Sequence, residues 1–294
     1  MMQSKKKLVI TGSSGFLGYH LLQQAIHEYE VYALVNHHTP LLQNVSVHRC
    51  DLTNYVETGN LLDDIEPDIV VHAAAMPDTS VCEAQPNETY PINVEAAVNL
   101  AGICSDYAIP FVFTSTDLVF DGKRSMYTEL DAVNPVNEYG RQKAIAEERI
   151  SNVYPASLIA RLPMMFGYPQ ASSRNFMQQM ISKIKNGEEV HLFTDEFRSA
   201  CSAVEISKGI LQLMHKHTGT FHLAGPERIS RYALGLRAAQ LLGLPTDKIV
   251  GCRQEDVKML MPRPKDVSLD ITKAKEAGFQ PIGLNNQLQY VYAD

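Results

Sequence analysis

The chain opens on a short apolar segment that runs directly into three closely spaced glycines. Residues 8–10 are Leu-Val-Ile, the composition of a buried strand, and Gly12, Gly15 and Gly18 follow. Apolar residues recur with helical spacing from Phe16 onward, so a strand, a tight turn and a helix are expected in that order. Such a turn presents backbone N–H groups and the positive end of a helix dipole at one point. The sequence therefore predicts a binding site for a phosphate group.

The spacing of the glycines indicates what kind of phosphate the turn accommodates. A first glycine permits the turn, a second lets the backbone approach a pyrophosphate, and a third lets the helix pack closely on the strand. A bare glycine pattern also fits an ordinary strand-turn-helix unit, but this one follows the first strand and precedes further strand-helix alternation, which favours a dinucleotide site. The predicted cofactor contacts in this unit are Gly12, Ser14, Gly15, Phe16, Leu17 and Gly18.

Strand and helix patterns alternate along the first half of the chain. Apolar strands are predicted at 8–10, 31–35, 45–48, 69–72, 111–114 and 157–160, and helices at 53–65, at 87–106 with Asn87 as its cap, and from 138 onward. This alternation predicts an α/β fold with a doubly wound parallel sheet of the Rossmann type over residues 1–166.

The regularity loosens in the second half of the chain. Residues 167–294 are predicted to form a smaller C-terminal α/β substrate lobe, from which some segments can return to the first domain. Its predicted elements are helices at 174–185, 204–214 and 231–242 and strands at 190–193 and 220–223. The cleft between the two lobes is the expected functional site.

The residues that follow the second strand bear on which dinucleotide is bound. An acidic residue there would accept from the ribose 2′-hydroxyl of NAD and repel a 2′-phosphate, but Asn36 is neutral. The chain offers no arginine there to hold the phosphate, and His37 and His38 fit either a cofactor contact or an ordinary loop. NADP is therefore the preferred prediction, and NAD is the alternative.

Several residues at other predicted strand ends are candidates for the same cofactor. Asp51 either accepts from an adenine amino group or caps the helix that follows it, and the two roles are compatible. Asn93, polar among apolar neighbours, either faces solvent or braces the sheet near the active site. The remaining predicted contacts are Asn36, His37, Asp51, Leu52, the small residues Ala73, Ala74 and Ala75, and Asn93.

Three side chains form the predicted catalytic set. Tyr139 and Lys143 are four residues apart, which places them on one helical face about one turn apart. A phenol titrates near ~10, and a neighbouring ammonium lowers that pKa. Lys143 can also hold ribose hydroxyls, and Thr116 at the end of the fifth strand can hydrogen-bond a reacting carbonyl oxygen together with Tyr139. A Tyr-x-x-x-Lys spacing alone fits a solvated helix face, but the glycine turn and Thr116 favour the catalytic interpretation.

Composition excludes several other classes of protein. A net charge of −7 argues against a general nucleic-acid binder, which needs a basic surface. The five cysteines lie far apart and the histidines are scattered, so neither a disulfide framework nor a metal site is predicted. No apolar run has transmembrane length and the N-terminal residues run straight into a strand, so we expect a cytoplasmic protein without a signal peptide or membrane contact.

The residues quoted so far resemble a known superfamily over the whole chain. The segment 11–18, Asn93 and the Tyr139-x-x-x-Lys143 pair are similar to the extended short-chain dehydrogenases/reductases. Within it, residues 115–122 (STDLVFDG) and the late Arg263-Pro264-x-x-x-Ser268-Leu269-Asp270 resemble the dTDP-4-dehydrorhamnose reductase branch. The resemblance implies that Thr116, Tyr139 and Lys143 are catalytic and that the glycines, Asp51 and residues 73–75 face the cofactor.

The resemblance also implies a substrate and competing functions. The second lobe would bind a nucleotide-sugar, with Thr116, Asp117, Arg198 and Arg263 as substrate contacts, because the planar fork of arginine suits a pyrophosphate. The function expected is reduction of a keto group on a nucleotide-activated deoxysugar, by a protein that can form a homodimer. The branch commonly has Tyr where this chain has Leu118, which leaves the sugar open. The alternatives are an epimerase and a cofactor-binding regulatory subunit without turnover, as in methionine adenosyltransferase.

Overall fold

The structure is a computed structural model that describes residues 5–40, 42–168, 175–259 and 261–292. Its strands are β1 Lys7–Thr11, β2 Glu30–Val35, β3 Val45–Arg49, β4 Ile69–His72, β5 Phe111–Thr116, β6 Leu158–Leu162, β7 Met165–Phe166, β8 Val190–Phe193, β9 Phe197–Arg198, β10 Cys201–Ser202, β11 Gly219–His222, β12 Ile229–Ser230 and β13 Ile249–Cys252. Its α-helices are α1 Phe16–Ala25, α2 Tyr55–Ile65, α3 Thr79–Ala84, α4 Pro86–Tyr90, α5 Ala96–Asp106, α6 Glu138–Val153, α7 Phe176–Lys185, α8 Ala203–Leu213, α9 Arg231–Leu241, α10 Thr272–Glu276 and α11 Leu284–Tyr292.

The main sheet is parallel throughout and has its switch point beside β1. Within the described residues its order is β11-β6-β5-β4-β1-β2-β3, so the chain winds outward from β1 in one direction and from β4 in the other. Thr11 at the end of β1 lies opposite His72 at the end of β4. Loops leave these two strands toward opposite faces, which opens a crevice at their carboxyl ends. The predicted doubly wound Rossmann sheet is confirmed.

Both faces of the sheet are covered, which explains why its central strands are apolar without alternation. Leu8 and Ile10 of β1 pack with residues of α1 and α8 on one face. Val9 packs on the other face with residues of α2, α5 and α6. A separate core, formed chiefly by residues of α7, α9 and α11 with β8 and β13, holds the second lobe together.

The turn after β1 has room for glycine only. Gly12 has φ +64°, and a Cβ there would lie 2.6 Å from the Ala74 backbone. A Cβ on Gly18 would lie 2.2 Å from the Gly12 carbonyl oxygen. The close approach of helix to strand that the spacing predicted is thus present.

Two elements of the second half return to the first sheet. The segment predicted as a strand of the substrate lobe, observed as β11, pairs with β6 at the edge of the main sheet. Helix α8 packs against α1 in the core beneath that sheet. The division at residue 166 stays a prediction, but the main sheet and the core beneath it include these later segments.

Some predicted helix starts are wrong, and each has a local cause. Asn54 rather than Asp51 caps α2, because the Asn54 side chain accepts the Glu57 N–H. The helix predicted from Asn87 begins at Pro86 instead, and it passes through a π-helical turn at Pro91–Glu95 before α5. Residue 174, the predicted start of α7, lies outside the described residues, and Asn175 caps that helix.

Candidate active site

A cleft of about 610 Å³ lies at the carboxyl ends of the main sheet. Of the residues predicted from the sequence, those that line it are Gly12, Ser14, Gly15, Phe16, Leu17, Gly18, Asn36, His37, Asp51, Leu52, Ala73, Ala74, Ala75, Thr116 and Tyr139. The wall also includes residues that the sequence did not single out, among them Cys50, Met76, Ile92, Met165 and Asn175. Predicted site residues outside this lining are Asn93, Asp117, Lys143, Arg198 and Arg263.

One end of the cleft is formed by the segments after β2 and β3. Asn36, His37 and His38 are exposed there, and no arginine or lysine is among the described residues of the lining. Asp51 Oδ1 accepts from the backbone N–H and the hydroxyl of Thr53 at 3.0 and 2.7 Å. The Asp51 carboxylate is therefore held in place while the residue remains exposed at the mouth of the cleft.

The middle wall of the cleft is held by a hydrogen-bond chain from β1. The Ala74 N–H donates to Thr11 Oγ1 at 3.2 Å, and Oγ1 lies 2.9 Å from His72 Nδ1. Burial lowers the pKa of His72 to about 3, and the nearby Lys143 charge adds to the effect. His72 is thus neutral at physiological pH and acts as a fixed hydrogen-bonding partner.

Asn93 braces this wall from behind and does not face solvent. Its side chain accepts the Met76 N–H at 2.8 Å and donates to the Met76 carbonyl at 3.1 Å. It also donates to Gln142 Oε1 at 2.8 Å. Of the two roles left open by the sequence, the structure shows bracing. The contribution of Gln142, fully buried on α6 between Tyr139 and Lys143, was missed because its partners come from distant segments.

Tyr139 and Lys143 lie one turn apart on α6, but their environments differ. Tyr139 is half-buried and lines the cleft, and burial raises the pKa of its phenol. The sequence predicted a pKa lowered by the lysine, and this is wrong for the protein without ligands because burial raises the pKa, with smaller contributions from Cys82 and Asp117. Lys143 is 1% exposed, and burial lowers its pKa to about 7 against the opposing effect of Glu147.

Thr116 lies at the end of β5, where the chain turns into a short 3₁₀ helix. Its hydroxyl accepts the Leu118 N–H at 3.1 Å and lies 3.2 Å from Asp117 Oδ1. Asp117 is 3% exposed, and burial raises its pKa to about 6 although the Arg198 charge acts in the opposite direction. Asp117 therefore contacts Thr116 and does not line the cleft, and its role as a substrate contact stays a prediction.

A cluster of three arginines around the buried Glu196 lies next to Asp117 in the second lobe. Glu196, with no exposed surface, is approached by Arg231 at 2.8 Å, Arg198 at 3.2 Å and Arg263 at 3.4 Å. Arg198 also reaches Asp117 Oδ2 with its Nε at 3.5 Å. The sequence singled out Arg198 and Arg263 but missed Arg231 and Glu196, because only the tertiary fold brings these separated segments together.

A glycine turn at the switch point of a parallel sheet, with Tyr139 and Lys143 on the helix after β5, defines the class. The protein has an extended short-chain dehydrogenase/reductase fold. The chain belongs to the family described as the RmlD substrate binding domain, which matches residues 6–294. Among the described residues, no helix combines the length and apolar character needed to cross a membrane.

Individual relatives cover nearly the whole chain. The probable low-salt glycan biosynthesis reductase Agl14 of Haloferax volcanii is 29% identical over 90% of each chain. Methionine adenosyltransferase 2 subunit beta of Mus musculus is 25% identical over 93% of this chain and 83% of the mouse protein. The dTDP-4-dehydrorhamnose reductase of Bacillus anthracis, solved in complex with NADP, superposes with a TM-score of 0.87 at 23% identity over 98% of this chain and 99% of that one.

Proposed function

We propose that this protein is an NAD(P)H-dependent reductase of a keto group on a nucleotide-activated deoxysugar, similar to the dTDP-4-dehydrorhamnose reductases. The observation that carries the proposal is the placement of Tyr139 in the cleft with its pKa raised by burial. A phenol that keeps its proton at neutral pH is suited to give that proton to a carbonyl oxygen as the oxygen becomes an alkoxide.

The cleft fits a dinucleotide cofactor. A Cβ on Gly12 or Gly18 would collide with the backbone of Ala74 or of Gly12, so only glycine permits the tight turn that directs the N–H groups at the start of α1 toward a pyrophosphate. Residues 73–75 would form the wall along the nicotinamide half, with Ala74 held by Thr11 and the adjoining Met76 held by Asn93. When bound, the nicotinamide supplies the hydride that reduces the carbonyl carbon.

The protein's own side chains would perform the proton transfer. Tyr139 donates its proton to the substrate oxygen, and Thr116 orients that oxygen with a hydrogen bond. Lys143, buried behind Tyr139 with a pKa near 7, stabilises the phenolate left after the transfer and can hold ribose hydroxyls. This division of roles uses all three residues, whereas a protein that only binds a cofactor has no need of all three.

The substrate's diphosphate would bind at the arginine cluster. Glu196 neutralises one of the three guanidinium charges, and Asp117 partly neutralises Arg198. Arg231 and Arg263 are the more exposed members, with side chains 22% and 34% exposed, so we place the diphosphate on these two. The fully buried Glu196 would hold their guanidinium groups in place.

NADPH is the cofactor we favour. Asn36 does not repel a 2′-phosphate, and His37 and His38 at the same end of the cleft can donate hydrogen bonds to it. The similar reductase of Bacillus anthracis was solved with NADP, which agrees with this choice.

A second candidate function is that of a cofactor-binding subunit without turnover, favoured by the similarity to methionine adenosyltransferase 2 subunit beta. One experiment separates the two. Purified protein is mixed with NADPH and a panel of 4-keto-6-deoxy nucleotide-sugars, and loss of nicotinamide absorbance is followed. A reductase oxidises NADPH with at least one sugar. Tight NADPH binding with no oxidation against the whole panel, together with capture of a methionine adenosyltransferase catalytic subunit, would support the second function.

A further inference from the structure

The hydroxyl of Thr116 already has hydrogen-bonding partners before any substrate arrives. Its oxygen accepts the Leu118 N–H at 3.1 Å, and Asp117 Oδ1 lies 3.2 Å away. A threonine hydroxyl has one hydrogen to donate and two lone pairs. An ionised Asp117 can only accept, so it takes that hydrogen and leaves Thr116 nothing to donate toward a substrate. A protonated Asp117 donates to Thr116 instead, which uses the second lone pair and frees the hydroxyl hydrogen.

We propose that Asp117 is a positioning residue that must carry a proton for Thr116 to donate its hydrogen bond to the carbonyl oxygen of the substrate. The inference rests on the proposed reductase function and deepens it. It requires no change in the roles of Tyr139 and Lys143, since the proton transferred to the substrate still comes from the phenol. Asp117 keeps its own proton throughout and sets only the direction of the Thr116 hydrogen bond.

The surroundings of Asp117 shift its carboxyl group toward the protonated form. The carboxyl group is buried, and its Oδ2 accepts no hydrogen bond from the residues that the structure describes. Arg198 approaches Oδ2 at 3.5 Å, beyond hydrogen-bonding distance, and shares its charge with Glu196. Burial and the Glu196 charge outweigh Arg198, Arg231 and the Thr116 hydrogen bond, and leave the pKa of Asp117 at about 6, well above the ordinary value of an aspartate.

Substrate binding would raise the pKa of Asp117 further. The charges of Arg198 and Arg231 are what hold the Asp117 pKa down, because they favour its ionised form. A diphosphate bound at the arginine cluster opposes those charges. Asp117 then takes up a proton at neutral pH, and the Thr116 hydroxyl is released to donate when a substrate is in place.

The test compares the pH dependence of kcat/KM in the wild type and in Asp117→Asn. In the variant, the amide Nδ2 can donate to Thr116 at every pH and Oδ1 can face Arg198. Wild-type activity needs protons on both Asp117 and Lys143, so it should fall about 100-fold per pH unit at the alkaline limit, against about tenfold per unit in the variant. Tyr139 keeps its proton over this pH range because its pKa is raised, so it does not steepen the alkaline slope. Equal slopes in the two proteins would overturn the inference.

A double variant shows whether Asp117 acts through Thr116. Thr116→Val lacks the hydroxyl, so its activity should be low and its alkaline slope should already be the shallow one. Adding Asp117→Asn to Thr116→Val should leave that slope unchanged. If Asp117 acted independently of Thr116, the second substitution would change the alkaline slope whether or not the hydroxyl was present.

A measurement without turnover keeps this inference separate from the proposed function. Protein with ¹³C-labelled aspartate carboxyl carbons is titrated by NMR in the presence of NADPH, and the Asp117 signal is the one missing in Asp117→Asn. Its midpoint should lie at about 6 or above. A midpoint near the ordinary aspartate value would overturn the inference even in an active reductase. Absence of turnover with a high Asp117 midpoint would instead contradict the reductase function.

Discussion

The ammonium of Lys143 lies 3.8 Å from the centre of the Phe113 ring. The carboxylate nearest along its helix, Glu147, is paired with Arg161 at 2.7 Å. Lys143 is therefore buried against an aromatic face on β5 rather than against a carboxylate of its own. This explains why burial outweighs the charge of Glu147 and lowers the pKa of Lys143.

Lys143→Met should stabilise the protein at low pH. The pKa of Lys143 is lowered from 10.5 to about 7 on folding, so the unfolded chain binds the proton more tightly. Wild-type stability is therefore lower below pH 7 and rises with pH toward 10.5. The variant should be more stable by roughly 3–5 kcal/mol near pH 6, with a gap that narrows as pH rises. Urea unfolding across this range measures the gap, and the exposed Lys216→Met is the control. A difference in unfolding free energy that does not change with pH would contradict the lowered pKa of the buried Lys143.

Tyr139→Phe should retain NADPH binding and lose turnover. The substitution removes the proton donor but keeps the ring that lines the cleft. General acid catalysis contributes roughly 10²–10⁴-fold, so kcat should fall by at least the lower figure. Cofactor titration and steady-state kinetics with the active sugar separate the two effects. Tyr107→Phe, on an exposed residue, should behave as wild type. Near-normal turnover in Tyr139→Phe would remove Tyr139 from the mechanism.

Asn36→Asp should shift the cofactor preference from NADPH toward NADH. The new carboxylate lies at the mouth of the cleft, where it would repel a 2′-phosphate and accept from a 2′-hydroxyl. Dissociation constants for both cofactors measure the change. Asn44→Asp introduces the same charge at an exposed residue outside the cleft lining and should leave the preference unaltered. A strong NADH preference in the wild type would show that Asn36 does not select NADPH.

Asn93→Ala should weaken cofactor binding and destabilise the fold. The substitution removes the partner of the Met76 N–H and of Gln142 Oε1, and leaves the Met76 carbonyl with the Cys82 thiol alone. A cost of roughly 2–4 kcal/mol in unfolding free energy is expected, with a raised Kd for NADPH because the wall of the cleft loses its brace. The exposed Asn87→Ala offers a matched control and should change stability by less than about 0.5 kcal/mol. Wild-type NADPH affinity in Asn93→Ala would show that the brace is not needed.

The protein should not dehydrate a nucleotide-sugar. Dehydratases of similar fold carry Thr-Asp-Glu after the fifth strand, and this chain has Thr116-Asp117-Leu118. Leu118 cannot take up or release a proton, and loss of one positioned acid or base costs about 10²–10⁴-fold. Incubation with dTDP-glucose, with and without NAD, should yield no 4-keto-6-deoxy product, and accumulation of that product would refute the reductase assignment.

The structural features around the candidate site that the sequence predicted correctly are those in which the determinants are local. The glycine turn needs only residues 8–18, and the strand ends that carry Thr116 and the small residues 73–75 follow from short apolar runs. The direction of the Tyr139 pKa was predicted wrongly because burial depends on packing from distant segments. The convergence of Arg231 on Glu196 was missed for the same reason, since those residues lie 35 positions apart.

The return of β11 to the main sheet has a consequence for how the protein is made. A ribosome releases the chain from its N-terminus, so β1 to β6 and the glycine turn emerge long before residues 219–222. Until then β6 has an open edge, and the apolar face of α1 lacks the cover that Ile206, Ile210 and Leu213 of α8 supply. The nascent N-terminal lobe is therefore an incomplete sheet with exposed apolar surface. It stays so until α8 and β11 have been synthesised. It is in this interval that the growing chain most needs protection from association with its neighbours.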